Sequence, residues 1–149
     1  MPPYPGEVYV DDATVIDGEL LYRMVTAANT KFEGGVAARA GTNAFQDQRA
    51  ELLRELGVPA VAVSVYLESE MAARGVAVAD LVERWGPRYG VVSITAGEAR
   101  SKGQGIIRWP QEGHPEHGMI FTLQGPSKTR GQSKGLAALT KVVIAPPES

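Results

Sequence analysis

A chain of 149 residues with 44% hydrophobic side chains and a formal net charge of -2 has the size of one ordinary domain and enough apolar material to close a core unaided. It has no cysteine, which removes disulfides, thiolate zinc sites, iron–sulfur clusters and cysteine nucleophiles together, and fits a reducing compartment. No apolar run approaches the ~18 residues of a membrane span, and Met1-Pro2-Pro3-Tyr4-Pro5 has neither the basic nor the apolar region of a signal peptide, so the expectation is a cytoplasmic protein with no membrane partner.

Residues 1–6 read as an extended lead-in, and 8–10 as a short strand before Asp11-Asp12. Residues 19–26, with Leu, Tyr, Met and Val around Arg23, predict a strand. Residues 27–43 are rich in Ala, Gly, Asn and Thr and read as the least structured segment. Phe45, Arg49, Leu52, Leu53 and Leu56 then recur at helical spacing, closed by Gly57. Residues 58–66 are the clearest strand, with Pro59 at its start where a missing N–H matters least.

A short helix over 68–74 ends at Gly75, and Val78, Leu81, Val82 and Trp85 mark the face of the next, stopped by Gly86-Pro87. Residues 89–95 predict a strand, and Thr95-Ala96-Gly97-Glu98 has the form of a capping box that opens a single-turn helix. Strands at 106–109 and 118–123 flank a Pro/His loop. A helical run at 135–140 precedes a last strand at 141–145, and 146–149 reads as a frayed tail. Strands outnumber helices and connections are short. The expected fold is therefore a single α+β domain, a mixed or mostly antiparallel sheet with three or four short helices packed on it. Its expected core includes Val61, Val63, Val65, Val91, Ile94, Ile120, Phe121, Leu139 and Val143.

Three segments taken together resemble a known group. They are Leu21-Tyr22-Arg23, the strand Ala62-Val63-Ser64-Val65, and the block from Tyr89 onward, with its TAGEAR turn, His117-Gly118 and terminal SK…LA run. This is similar to a group of small uncharacterised bacterial proteins. The resemblance covers about two-thirds of the chain and departs at 44–57, which read as an inserted helix. It implies bacterial origin and a compact fold, and carries no mechanism.

Chemistry-bearing residues fall into separate places. His114 and His117 are the two histidines of the chain, in His-Pro-Glu-His. A metal there needs Glu112 or Glu116 as further ligands, and Pro115 works against the helix that would align the rings. Asp11, Asp12 and Asp17 lack the oxygen ladder of a calcium loop. No glycine fingerprint of a dinucleotide fold is present, so neither a structural metal nor a dinucleotide cofactor is expected. Trp85, Tyr89, Trp109 and Phe121 are candidates to line a pocket or to fill the core. Arg23, a charge in an apolar strand, must be paired, at an edge or facing a cleft.

Arg23 followed by Glu68-Ser69-Glu70 resembles the ADP-ribosyltransferases, which the resemblance would have bind NAD through the arginine and orient ribose with a glutamate. That pattern also has a Ser-Thr-Ser strand, where this chain has Gly41-Thr42-Asn43, and its glutamates come near the domain end, whereas half of this chain follows Glu70.

Charge reverses along the chain. Residues 1–100 carry 9 basic and 14 acidic side chains, and 101–149 carry 6 and 3. The excess gathers in the loop 125–135, where Lys128, Arg130 and Lys134 alternate with Ser127, Thr129 and Ser133. Cations and amides just before a helix can hold an anion. The leading expectation is thus a non-catalytic accessory or binding domain whose partner is an anionic ligand or a protein, with nucleic acid left open. The alternative is a degenerate NAD-using transferase or glycohydrolase acting through Arg23, Glu68 and Glu70.

Overall fold

The computed structural model describes residues 9–45, 48–49, 61–124 and 128–148. Leu20–Val25 forms the first strand, β1. A 3₁₀ turn at Ala27–Asn29 leads into a hairpin of Thr30–Glu33 (β2) and Val36–Ala40 (β3), which corrects the unstructured reading of this segment. Gly34 and Gly35 have φ of 59° and 79°; a two-residue type I′ turn needs positive φ at both central positions. A second 3₁₀ turn, Thr42–Phe45, buries Ala44 and Phe45. Of the helix expected beyond Phe45, most lies outside the described residues. The two that are described, Gln48–Arg49 (β4), pair instead with the next strand.

That strand is Val61–Leu67 (β5), followed by helices Glu68–Ala73 (α1) and Val78–Trp85 (α2). Gly86 ends α2 with φ 121°, its N–H on Val82 O at 2.8 Å. Gly90–Thr95 (β6) passes directly into Ala96–Arg100 (α3). Here the capping box forms as expected: Glu98 N donates to Thr95 Oγ1 at 3.1 Å and Thr95 N to Glu98 Oε1 at 3.0 Å. Gln104–Arg108 (β7) and His117–Thr122 (β8) flank the Pro/His loop.

The last helix, Arg130–Leu139 (α4), begins five residues before the helical run expected at 135–140. Thr129 accepts Gln132 N at 3.1 Å, and Gln132 Oε1 accepts Thr129 N at 2.9 Å. This second capping box turns most of the expected basic loop into helix. Lys141–Ile144 (β9) closes the fold.

The large sheet runs β7-β8-β5-β1-β6-β9, with β4 added on β5, and every described pairing is antiparallel. The fold is α+β, as expected. Period-two alternation gives the sheet two apolar faces. Leu21, Val63, Val65, Leu67, Val92, Ile94, Ile106 and Ile120 pack with Ala96 and Ala99 of α3, Leu136 of α4, and Ala44 and Phe45. On the opposite face Tyr22, Met24, Tyr66 and Val91 pack with Met71 of α1 and Leu81 of α2. Tyr9, Ala62, Met119 and Phe121 form a third cluster.

Of the expected core, Val63, Val65, Val91, Ile94, Ile120 and Phe121 are buried, and Leu139 packs against the first cluster. The side chain of Val61 lies outside the described set. Val143 is a correction: β9 is half solvated and leaves it exposed. Among the described residues no helix is long and apolar enough to cross a membrane.

Tyr9 and Val10, the described part of the strand expected at 8–10, take no strand pairing. The segment after them is tied to β7 by its acids. Asp12 N donates to Ile106 O at 2.8 Å, and Ile106 N donates to Asp11 Oδ1 at 3.0 Å. Arg100 pairs with Asp11 and Asp17, and Arg108 with Asp12.

Gly118 sits in β8 between its neighbours β5 and β7, paired with Val65 on one side and Arg108 on the other. A β-carbon there would collide with Leu67 Cδ1 and lie 2.8 Å from Ile107 O. The leucine can turn aside, but a carbonyl in a sheet ladder cannot. Gly118→Ala is therefore expected to cost about 2 kcal/mol and to lower the melting temperature by roughly 5 °C. A melt within a degree of the parent would show that β7 gives way freely.

Candidate functional site

Strand β5 is incompletely paired along its length. β1 meets it only at Leu21↔Leu67 and Tyr22↔Tyr66, and β4 meets it at Val61 and Ala62. Between these contacts the Arg23 guanidinium inserts. Its Nη1 donates to Ser64 O and its Nε to Ala44 O, both at 3.0 Å. Arg23 is buried yet takes part in no ion pair among the described residues. Burial pushes its pKa down to about 10, so it is a cation at neutral pH. Nη2 has no hydrogen-bond partner among the described residues.

The guanidinium lines a cavity of about 180 Å³, together with Met24, Ser64, Tyr66, Trp85, Gln111, His114 and His117. Several liquid waters' worth of space is enough for a small molecule, at ~30 Å³ per water. Trp85 comes from the end of α2 and donates Nε1–H to the Tyr66 hydroxyl at 2.8 Å. The Tyr66 oxygen also lies 2.8 Å from Nδ1 of His114. Burial raises the Tyr66 pKa and keeps the phenol protonated.

The loop between β7 and β8 presents both histidines. Gln111 and His114 form a two-residue bridge, their amides and carbonyls exchanged at 2.9 and 3.1 Å. His117, at the start of β8 opposite Tyr66, holds its Nδ1 2.8 Å from Trp109 O. A carbonyl only accepts, so Nδ1 carries the hydrogen and Nε2 the lone pair. Desolvation, with smaller effects from His114 and Arg23, lowers the His117 pKa against the raising effect of the Trp109 bond. The ring is neutral at pH 7.

The sequence candidates separate cleanly. Arg23, His114, His117 and Trp85 converge on the cavity; Tyr66, Ser64, Met24 and Gln111 join them without having been singled out. Tyr89 packs edge-on against Trp85, ring centroids 5.3 Å apart, outside the lining. Trp109 and Phe121 pack around Tyr9 instead. Glu68 and Glu70 do not line the cavity: Glu68 is exposed, and Glu70 has one oxygen on Arg74 at 2.8 Å and the other on Arg108 at 3.2 Å. Glu112 is exposed, and Glu116 is buried against Arg84. No set of three metal-ligating side chains gathers among the described residues, and the guanidinium beside the histidines disfavours a metal cation there.

The basic segment is largely committed to structure. Lys128 is buried with Nζ on Ile120 O at 3.3 Å, and Ser133 donates to Phe45 O at 2.9 Å. Thr129 caps α4. Arg130 and Lys134 are exposed, and Ser127 lies outside the described residues. Comparison with models of protein families, with curated proteins and with solved structures gave no match to this chain.

Proposed function

We propose that this chain is a small binding domain whose ligand is an anion of carboxylate or phosphate type, seated against Arg23. One observation carries the reading: a buried guanidinium with no carboxylate partner among the described residues, one arm unbonded, at the wall of a cavity of about 180 Å³. Burying an uncompensated charge is costly. An incoming anion offsets that cost, and the low dielectric around it strengthens the attraction.

The anion is assigned to this cavity rather than to 125–135 because Lys128, Thr129 and Ser133 already serve the fold. A single recessed cation suits a small ligand better than a nucleic-acid backbone, which needs a row of exposed cations. The NAD-using reading asks Arg23 and a glutamate to share a cleft, and both oxygens of Glu70 are held by arginines away from it.

Acetate or phosphate, added against chloride at constant ionic strength, is expected to raise the melting temperature. At ten times the dissociation constant the stabilisation is about 1.4 kcal/mol, or roughly 3–5 °C for a chain of this length. Arg23→Met should abolish the shift while leaving a cooperative melt. An equal shift in parent and variant would place the anion elsewhere, and no shift with any anion would remove the reading.

A further inference from the structure

The cavity offers more than a positive charge. His117 is held by Trp109 O at 2.8 Å through Nδ1–H, so its Nε2 lone pair is an acceptor, and that atom has no partner among the described residues. An acceptor beside an anion site is unfavourable toward a bare oxyanion, whose lone pairs it faces. It becomes favourable if the ligand brings a hydrogen. His114, whose Nδ1 faces the Tyr66 hydroxyl at 2.8 Å, lines the same cavity. Arg23 Nη2 thus supplies a donor, and His117 supplies an acceptor.

We propose that the ligand is an oxyanion that also carries a hydroxyl group, with the anion on Arg23 and the hydroxyl donating to Nε2 of His117. This rests on the anion reading above and deepens it. Tyr66 holds the arrangement in place: its ring stands edge-on to His117 with centroids 6.3 Å apart, and its hydroxyl is fixed by Trp85 and His114. His117 remains an acceptor at neutral pH because burial keeps the ring uncharged. The ligand class is the hydroxycarboxylate or the hydroxyalkyl phosphate, two sources of the same donor-plus-anion chemistry.

The test uses pairs that differ by one hydroxyl: glycolate against acetate, and 2-hydroxyethyl phosphate against ethyl phosphate. Binding is measured by Trp fluorescence or calorimetry on the full chain. The hydroxylated member of at least one pair is expected to bind about tenfold tighter, the worth of one hydrogen bond that would otherwise leave a buried acceptor unmet. His117→Asn keeps a donor for Trp109 O and removes Nε2; it should lose the preference, the ratio of affinities within each pair falling to about one.

Nitrogen-15 spectra of the parent supply a reading independent of the variant. The chain has two histidines, so both rings are assignable, and the His117 Nε2 resonance should move with glycolate and not with acetate. Measurable but equal binding within both pairs would overturn the hydroxyl assignment and leave the anion reading standing. No binding of any of the four would remove both. A preference that survives in His117→Asn, with an unmoved His117 resonance, would assign the hydroxyl to another group and overturn the role of His117.

Discussion

Arg84→Met is expected to destabilise the protein by about 3 kcal/mol at pH 7, whereas Glu116→Gln should cost markedly less. The two partners of this pair stand in different surroundings. Glu116 is 1% exposed and Arg84 is 31% exposed at the side chain, with bonds of 2.9 and 3.3 Å between them. Removing the arginine strands a carboxylate in the interior; removing the carboxylate releases a guanidinium that already reaches water.

Acidity should reveal the same asymmetry. Burial acts to raise the Glu116 pKa, but the hydrogen bonds and charge of Arg84 outweigh it and hold the carboxyl below its ordinary value. In the parent, this group contributes stability above the unfolded pKa of about 4.3, lost as pH falls through the lower folded value. Without Arg84, burial is opposed only by the backbone hydrogen bond at Glu116 and the charge of Arg74, each a smaller effect, and the folded pKa is expected to rise above the unfolded one. The variant then takes up a proton on folding as pH drops. Its deficit should be largest near pH 7–8 and shrink toward pH 4. His117, also depressed when folded, makes both proteins lose stability as pH falls below ~6.5, so it cancels from the difference. Denaturant melts from pH 4 to 8 measure this directly, and a deficit that does not change with pH would mean Glu116 is neutral or well solvated.

Phe45→Ala should be at least as damaging, at about 3–5 kcal/mol and on the order of 10 °C in melting temperature. Phe45 is fully buried against the face packed by α3 and α4. Its carbonyl takes the Ser133 hydroxyl at 2.9 Å, and the carbonyl of its neighbour Ala44 takes Arg23 Nε at 3.0 Å. The cavity left behind therefore loosens the turn that holds the guanidinium. Weaker acetate binding should accompany the lost stability. Ser133→Ala removes one hydrogen bond and keeps the ring; it should cost about 1 kcal/mol and leave binding near the parent value. A Phe45→Ala protein that melts within about 1 kcal/mol of the parent would show that the surrounding side chains collapse into the space.

How far these features could be read in advance depended on range. Strands β5, β6 and β8 are runs whose apolar density and Gly/Pro borders are local signals, and the Thr95/Glu98 box is local in the same sense. The β2–β3 hairpin was also written locally, in Gly34-Gly35, but its flanks of Thr, Lys, Ala and Arg have little apolar alternation to announce a strand. The start of α4 was hidden by Gly131 and Gly135, which lower helix propensity, while Thr129 and Gln132 carried the stronger signal. The site was legible only in pieces. Arg23, Trp85, His114 and His117 each stood out for a different reason. Their meeting depends on the register that sets Tyr22 beside Tyr66 and Tyr66 beside His117, and pairing across such separations is not encoded in spacing. Tyr66 was missed because, within a strand, a tyrosine reads as packing.

The acidic segment fastened along β7 has a consequence for solubility. A terminal strand with open amides and carbonyls recruits other chains into intermolecular sheets. On β7 the amide and carbonyl of Ile106 are already taken by Asp11 and Asp12, and Arg100 and Arg108 hold those acids in place. The ion pairs that hold this segment are electrostatic, so high salt weakens the part of them that reaches solvent, and strong acid discharges Asp12, whose carboxyl Thr14 and Arg108 hold below its usual range. Below the carboxylate range the chain faces a double hazard: the interior loses its paired Glu116 while the rim of the sheet is uncovered, and self-association should begin at β7 before the core has melted.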